Sequence, residues 1–262
     1  MLKFTKAHAY GNDFVYVRAA DVDGVALDRL ARELCDRHRG VGADGLILYT
    51  PTPDGASMRL FNADGSRSEV SGNGVRGLAA LMLRDDEEAG ASITIHSEGG
   101  AKQLVLSERS RSRQTFRAAM GLPADLRQVA VTAGGEPLQL AVMTFGNPQC
   151  VALGPLPDEA RFQRLGPALE RHELFPERTN VEFAHVESPT SIRILIWERG
   201  VGPTLSSGTG SCAALIASAE FGGAARDAEV IAPGGRQRVE WCDDSVYLTG
   251  WAEVLFDGEW LR

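Results

Sequence analysis

Two four-residue stretches constrain this chain more than any other feature: Ser71-Gly72-Asn73-Gly74 and Ser207-Gly208-Thr209-Gly210, 136 residues apart. Each ends an irregular loop and opens an apolar run, Val75 to Leu83 in the first and Cys212 to Ala219 in the second. Small residues followed by an apolar run predict a helix N-terminus. Such an end offers backbone N–H groups without helical partners and about half a positive charge, which suits an anion such as a carboxylate. Helices apolar on all sides belong inside a core. The chain must therefore fold around two such helices.

Other landmarks repeat at nearly the same spacing. Asn12 and Asn147 lie 135 residues apart; Asp44 and Asn180, and Asn62 and Glu198, lie 136 apart. The predicted elements recur in the same order. Strands over 3–8 and 13–18 flank Gly11-Asn12, and an amphipathic helix is marked by Leu27, Leu30, Ala31, Leu34 and Cys35. Strands over 46–49 and 58–61, a turn at 62–65, a helix over 73–84 and strands over 92–96, 102–107 and 114–119 complete the first half. The second half has a strand over 138–145, a break at Gly146-Asn147, a helix over 158–170 and strands over 181–183 and 192–197. A turn at 198–200, a helix over 208–221 and strands over 228–232, 237–242, 245–249 and 251–256 follow. The expected fold is α+β, with two structurally similar lobes, residues 1–125 and 126–262. The C-terminal end would pack back on the first lobe. Each lobe is expected to wrap a mostly antiparallel sheet around its central helix. A pseudo-twofold would bring both helix ends to one cleft, a favoured place for a ligand.

Composition narrows the partners. A net charge of −8 argues against nucleic acid, which calls for a basic face. Cys35, Cys150, Cys212 and Cys242 have no metal-ligand spacing, so no metal is expected, and they read as buried free thiols of a reducing cytoplasm. No apolar leader opens the chain and no stretch suits a membrane span. Two near-equivalent groups facing one ligand suit inversion of a stereocentre, one removing a proton and the other returning it. Fixed donors at the carboxylate would stabilise the carbanion, and no cofactor is needed.

The segments Lys6-Ala7-His8-Ala9-Tyr10-Gly11-Asn12-Asp13-Phe14, Gly40 to Gly45, Phe61-Asn62-Ala63-Asp64-Gly65-Ser66, Gly72-Asn73-Gly74-Val75-Arg76, Gly146-Asn147-Pro148, Thr179-Asn180-Val181-Glu182-Phe183, Glu198-Arg199-Gly200 and Gly208-Thr209-Gly210 together resemble the diaminopimelate epimerase family. This family belongs to the proline racemase and phenazine-isomerase superfamily. The resemblance implies a cytoplasmic homodimer that inverts LL- to meso-diaminopimelate for lysine and peptidoglycan precursor biosynthesis. It implies that Gly72, Asn73, Gly208 and Thr209 meet the α-carboxylate. Asn12, Asn62, Asn147, Asn180, Glu198 and Arg199 would hold the other polar groups, with Arg199 on a distal carboxylate. Asp13 and Asp44 read as structural.

The chain departs from the family where the chemistry is concentrated. The two catalytic cysteine positions fall on Ser71 and Ser207, and the histidine position falls on Gln149; only Glu198 is kept. A thiol starts near pKa 8.5 and an alcohol several units higher, while a helix end supplies at most about 2 kcal/mol. Serine therefore needs an adjacent base. Three readings follow: an epimerase with altered proton carriers, a one-base isomerase or dehydratase using Glu198, and a non-catalytic amino-acid-binding relative.

Overall fold

The computed structural model describes residues 1–68, 71–86, 90–110 and 112–261. The fold is α+β and divides into two compact units, residues 1–118 with 250–262, and residues 119–249. Among the described residues no helix is long and apolar enough to cross a membrane.

The first unit contains β1 (Leu2–Ala9), β2 (Asn12–Arg18), α1 (Leu27–Cys35), β3 (Gly45–Thr52), β4 (Gly55–Asn62), β5 (Arg67–Ser68), α2 (Gly72–Met82), β6 (Ser92–Ser97), β7 (Gly100–Ser110) and most of β8 (Arg113–Gly121). Tyr10 and Gly11, both at positive φ, make the two-residue hairpin turn that delivers Asn12 to the start of β2. From β1 to β8, pairing runs antiparallel to β2, parallel to β3, antiparallel to β4, parallel to β6, antiparallel to β7 and antiparallel to β8. The last strand, β17 (Val246–Trp260), pairs with both β8 and β1 and closes an eight-stranded ring. Helix α2 packs against β1, β2, β4, β6 and β7, so it fills the ring, and its residues from Asn73 to Leu81 are buried. Helix α1 buries its single stripe, Leu30, Ala31, Leu34 and Cys35, against a separate cluster with Val15, Val17, Leu46 and Leu48.

The second unit contains β9 (Ala124–Ala133), β10 (Glu136–Thr144), β11 (Pro148–Leu153), α3 (Glu159–Glu170), β12 (Asn180–Ser188), β13 (Ser191–Glu198), β14 (Gly202–Thr204), α4 (Gly208–Phe221), β15 (Asp227–Ala232) and β16 (Gly235–Trp241), with the start of β17. From β10 the pairing senses through β11, β12, β13, β15, β16 and β17 are antiparallel, parallel, antiparallel, parallel, antiparallel and antiparallel, the same succession as in the first unit. Helix α4 touches β10, β11, β12, β13, β15 and β16. Cys212 through Ala217 are inaccessible on every side of it. Leu215 and Ile216 alone contribute about 2 kcal/mol each on burial.

The structure corrects the strand assignment at several places. The expected strands 245–249 and 251–256 are one strand, because Gly250 is not a breaker. A Cβ there would lie 3.0 Å from Tyr10 Oη, and Trp251 N donates to that oxygen at 3.1 Å. Glycine admits the Tyr10 ring. Strands β9 and β11 were not expected. In the first, Asp125, Arg127 and Gln128 interrupt the apolar residues, which are mostly half-buried, and the second follows the Gly146-Asn147 break at once.

Candidate active site

At the first helix end, Ser71 is the N-cap of α2, and its Oγ accepts from Gly74 N at 3.2 Å. Tyr16 Oη donates to Gly74 O at 3.0 Å and braces the same turn. The Asn73 side chain turns inward, where its Oδ1 accepts from the guanidinium of Arg76. Arg76 is only 2% exposed and sits 5.7 Å from the Tyr10 ring centroid.

Asn12 is held from β2 by Asp44, whose Oδ2 accepts from Asn12 Nδ2 and from Asp13 N, both at 3.0 Å. Asp13 pairs with Lys6 at 2.6 Å and Arg37 at 2.7 Å, and Arg37 also reaches Asp44 at 2.9 Å. Burial works against ionisation of Asp13, but the hydrogen bonds from Arg37 and Lys6 outweigh it and hold its carboxyl at about 2. The amide of Asn62 donates to Ser66 Oγ at 3.0 Å, within its own turn.

At the second helix end, Ser207 caps α4 in the same way, its Oγ accepting from Gly210 N at 3.1 Å. Ser207 is buried, whereas Ser71 is half-exposed. Gln149 on β11 and Glu182 on β12 are both fully inaccessible. The carboxyl beside it sets the orientation of the Gln149 amide. Gln149 Nε2 donates to Asn147 Oδ1 at 2.5 Å; with the Gln149 and Asn147 amides both turned over, the Gln149 nitrogen lies 3.2 Å from both Oε1 and Oε2 of Glu182 and its oxygen 3.2 Å from Thr209 Oγ1. Burial, with the like charge of Glu198 adding to it, pushes the Glu182 carboxyl well above the usual carboxylate range.

Asn180 opens β12 beside Gln149 in the parallel register, and its Oδ1 accepts from Arg199 N at 2.9 Å. The Arg199 guanidinium is exposed and donates to Glu177 O at 3.3 Å. Glu198, at the end of β13, is half-buried. Both residues sit on a turn clamped from α3 by Glu170, which accepts from Trp197 Nε1 and Gly200 N, each at 3.0 Å. Burial opposes ionisation of Glu170, yet these two bonds hold its carboxyl below the ordinary range.

The second unit therefore gathers Ser207, Thr209, Gln149 and Asn147 around Glu182, with Asn180 and Arg199 joined nearby. The first unit joins Asn12 to Asp44 and keeps Asn62 apart in its turn. Sequence reasoning assigned no role to Glu182 or Glu170. The available signal for Glu182 was one acid inside the apolar run Val181 to Val186. The thiols do not stand in for the serines. Cys212 is buried inside α4, and burial, with Glu182 adding, raises the Cys150 thiol well above its ordinary value.

The fold is shared with solved structures of racemases and epimerases. A predicted epimerase of Pseudomonas aeruginosa superposes with a TM-score of 0.76 at 18% identity, each chain covered in full. A hydroxyproline epimerase from Agrobacterium vitis, solved with trans-4-hydroxy-L-proline, gives 0.68 at 16% identity over 98% of this chain and 90% of its own. These likenesses define the fold class. The sequence matches the diaminopimelate epimerase family over residues 4–123 and 141–255. The diaminopimelate epimerase of Desulforudis audaxviator is 40% identical over the full length of both chains, and the chloroplastic enzyme of Oryza sativa is 37% identical over 98% of this chain and 79% of its own. The chain belongs to the diaminopimelate epimerase family, a family of isomerases.

Proposed function

We propose that this protein is a cofactor-independent epimerase acting on the α-carbon of diaminopimelate, with proton carriers that differ from the usual thiols. The observation that carries the reading is the pair of serine-capped helix ends, α2 and α4, each opening a buried helix inside its own sheet. In this reading the two units are two lobes related by a pseudo-twofold, and both helix ends face one cleft. The backbone N–H groups of Gly72, Asn73, Gly208 and Thr209 bind the α-carboxylate and stabilise the carbanion. Asn12, Asn62, Asn147, Asn180 and Glu198 hold the ligand's other polar groups, and the exposed fork of Arg199 takes the distal carboxylate. Full-length relatives at 33–40% identity, all named diaminopimelate epimerases, support this substrate. The protein works as a homodimer in the cytoplasm.

A second reading, one-sided proton exchange, is favoured by the difference between the two ends, since an acid backs α4 and a guanidinium backs α2. Nuclear magnetic resonance of LL- and meso-diaminopimelate in D2O with the purified protein separates the two, with calorimetry in parallel. Exchange with inversion is the expected result. Exchange without inversion supports the one-sided reading, and tight binding without exchange removes both. The triple variant Ser71→Cys, Gln149→His, Ser207→Cys should raise the inversion rate by about 100-fold or more, the usual contribution of a placed acid–base group. A folded triple variant with no gain would count against the reading.

A further inference from the structure

The α4 end holds more acid–base machinery than the proposed epimerase needs for binding. The Glu182 side chain rises from β12 into the first turn of α4. A Cβ built on Gly210 would lie 2.5 Å from Glu182 Oε1 and 3.1 Å from Ser207 Oγ. Carboxyl and hydroxyl therefore lie near one point on the helix wall, separated by no more than the sum of those two distances and not hydrogen-bonded to each other, the Ser207 Oγ being engaged with Gly210 N. Glycine at 210 leaves that space to them.

We propose that Glu182 is the acid that exchanges a proton with Ser207, supplying to the α4 half of the site what a thiol would otherwise provide. The inference rests on the epimerase reading for its substrate. In the protonating direction the Ser207 Oγ–H bond breaks as the Cα–H bond forms, and the Glu182 Oε–H bond breaks as a new Oγ–H bond forms, the proton crossing the short gap through one bridging water that gives up one proton as it takes another. Ser207 ends as it began, and the carbanion's negative charge ends on Glu182. The reverse sequence removes the α-proton, so neither direction needs a further reactant. Serine requires such an adjacent partner, because a helix end alone leaves it an alcohol.

The surroundings fit both states of the acid. From β11 the Gln149 amide, once turned over, brings its nitrogen to 3.2 Å from both carboxyl oxygens, where it stabilises the carboxylate. The positive end of α4 does the same. Cys150 of β11 is neutral, its thiol raised by burial. From β13 Glu198 brings a like charge, which together with burial favours the protonated form in the resting protein. Two carboxyl groups that disfavour joint ionisation hold a proton in reserve. Gln149 thus acts on the carboxyl as a holder, a role for which it needs no proton of its own.

Infrared difference spectroscopy of the whole protein tests this without substrate, and solvent-deuterium exchange tests it with substrate. A protonated-carboxyl band should be present in the wild type at neutral pH, absent in Glu182→Gln, retained in Glu198→Gln, and shifted in Ser207→Ala. With diaminopimelate in D2O, Glu182→Gln should bind as the wild type does, lose about 100-fold or more of the exchange rate, and lose the pH dependence of the residual rate. Glu182→Asp, which keeps the acid on a shorter stem, should recover part of it. A band that survives Glu182→Gln or ignores Ser207→Ala overturns the proposal, as does an unchanged exchange rate in Glu182→Gln. If the wild type shows the band and its Ser207 shift but neither binds nor exchanges diaminopimelate, the substrate reading fails and the Glu182–Ser207 pair stands.

Discussion

The two helix ends share their capping geometry and differ in what lies behind them. At α2 the cap is half-exposed and the buried neighbour is a guanidinium, Arg76, bound to Asn73 and stacked near Tyr10. At α4 the cap is buried and the neighbour is a carboxyl, Glu182, held by Gln149. A cation behind a helix N-terminus adds to the positive end and favours an anion in front of it. An acid behind the other end opposes the dipole when ionised and is neutral to it when protonated. The two ends thus share a capping frame and differ in electrostatics, with a guanidinium behind one and a carboxyl behind the other.

The largest effect that sharpens this contrast is a pH dependence. Folded Glu182 holds its proton more tightly than the unfolded chain does. Its contribution to stability is complete below the ordinary carboxyl value of 4.5 and is lost as pH rises toward the elevated folded value. Relative to Glu182→Gln, the wild type should lose about 1.4 kcal/mol per pH unit over that window. Arg76→Met should instead lower stability by about 2–3 kcal/mol at every pH, because a guanidinium does not titrate there. Urea midpoints across the acid-to-neutral range measure both; parallel slopes for wild type and Glu182→Gln would erase the distinction.

A smaller effect compares the two glycines one turn into each helix. A methyl group at 210 meets Glu182 Oε1 at 2.5 Å and the Ser207 side chain at 3.1 Å, whereas at 74 it meets the tip of Ile47 at 2.7 Å. At 74 the close contact is only the terminal Cδ1 of Ile47, whereas at 210 the methyl meets a carboxyl oxygen and the cap itself. Gly210→Ala should cost about 1–3 kcal/mol. Gly74→Ala should come out near neutral, since alanine gains about 1 kcal/mol of helix propensity. Equal thermal shifts would mean that Glu182 yields as easily as Ile47. The smallest effect concerns the caps. Ser207→Ala should cost about 1 kcal/mol and Ser71→Ala about half that, because the exposed end can recruit water for its N–H groups; chemical denaturation would resolve the pair.

What the sequence disclosed and what it hid follow from the range of the forces involved. The helix ends at Ser71 and Ser207 were legible because capping and apolar runs are local. So was the α1 stripe at Leu30, Ala31 and Leu34. The expected division between 245–249 and 251–256 does not hold because Gly250 is there to admit Tyr10, which comes from across the sheet. Strand β9 is not among the expected strands, although Val129, Val131 and Ala133 alternate toward the core, because Asp125, Arg127 and Gln128 interrupt its apolar residues. Glu182 was passed over because an acid in a strand acquires its meaning only when β11 and α4 bury it beside Gln149 and Ser207. Asn62 and Arg199 were picked out as ligand groups, and the structure shows what each touches at present, Ser66 and Glu177 O.

The closing strand carries a consequence for how the chain reaches this state. Strands β1 and β8 of the first unit meet only through β17, whose pairing with β1 runs from Trp260 back to Glu253. During synthesis, residues 1–118 leave the ribosome long before those partners exist, and all of residues 119–249 must follow first. Until then the ring stands open, with two strand edges and one flank of α2 uncovered, while residues 119–249 emerge with most of their strand partners contiguous. The half of the molecule made first is therefore the half that finishes last, and a ribosome stalled late in the message would hold a chain with a nearly complete second unit and an unsealed first one.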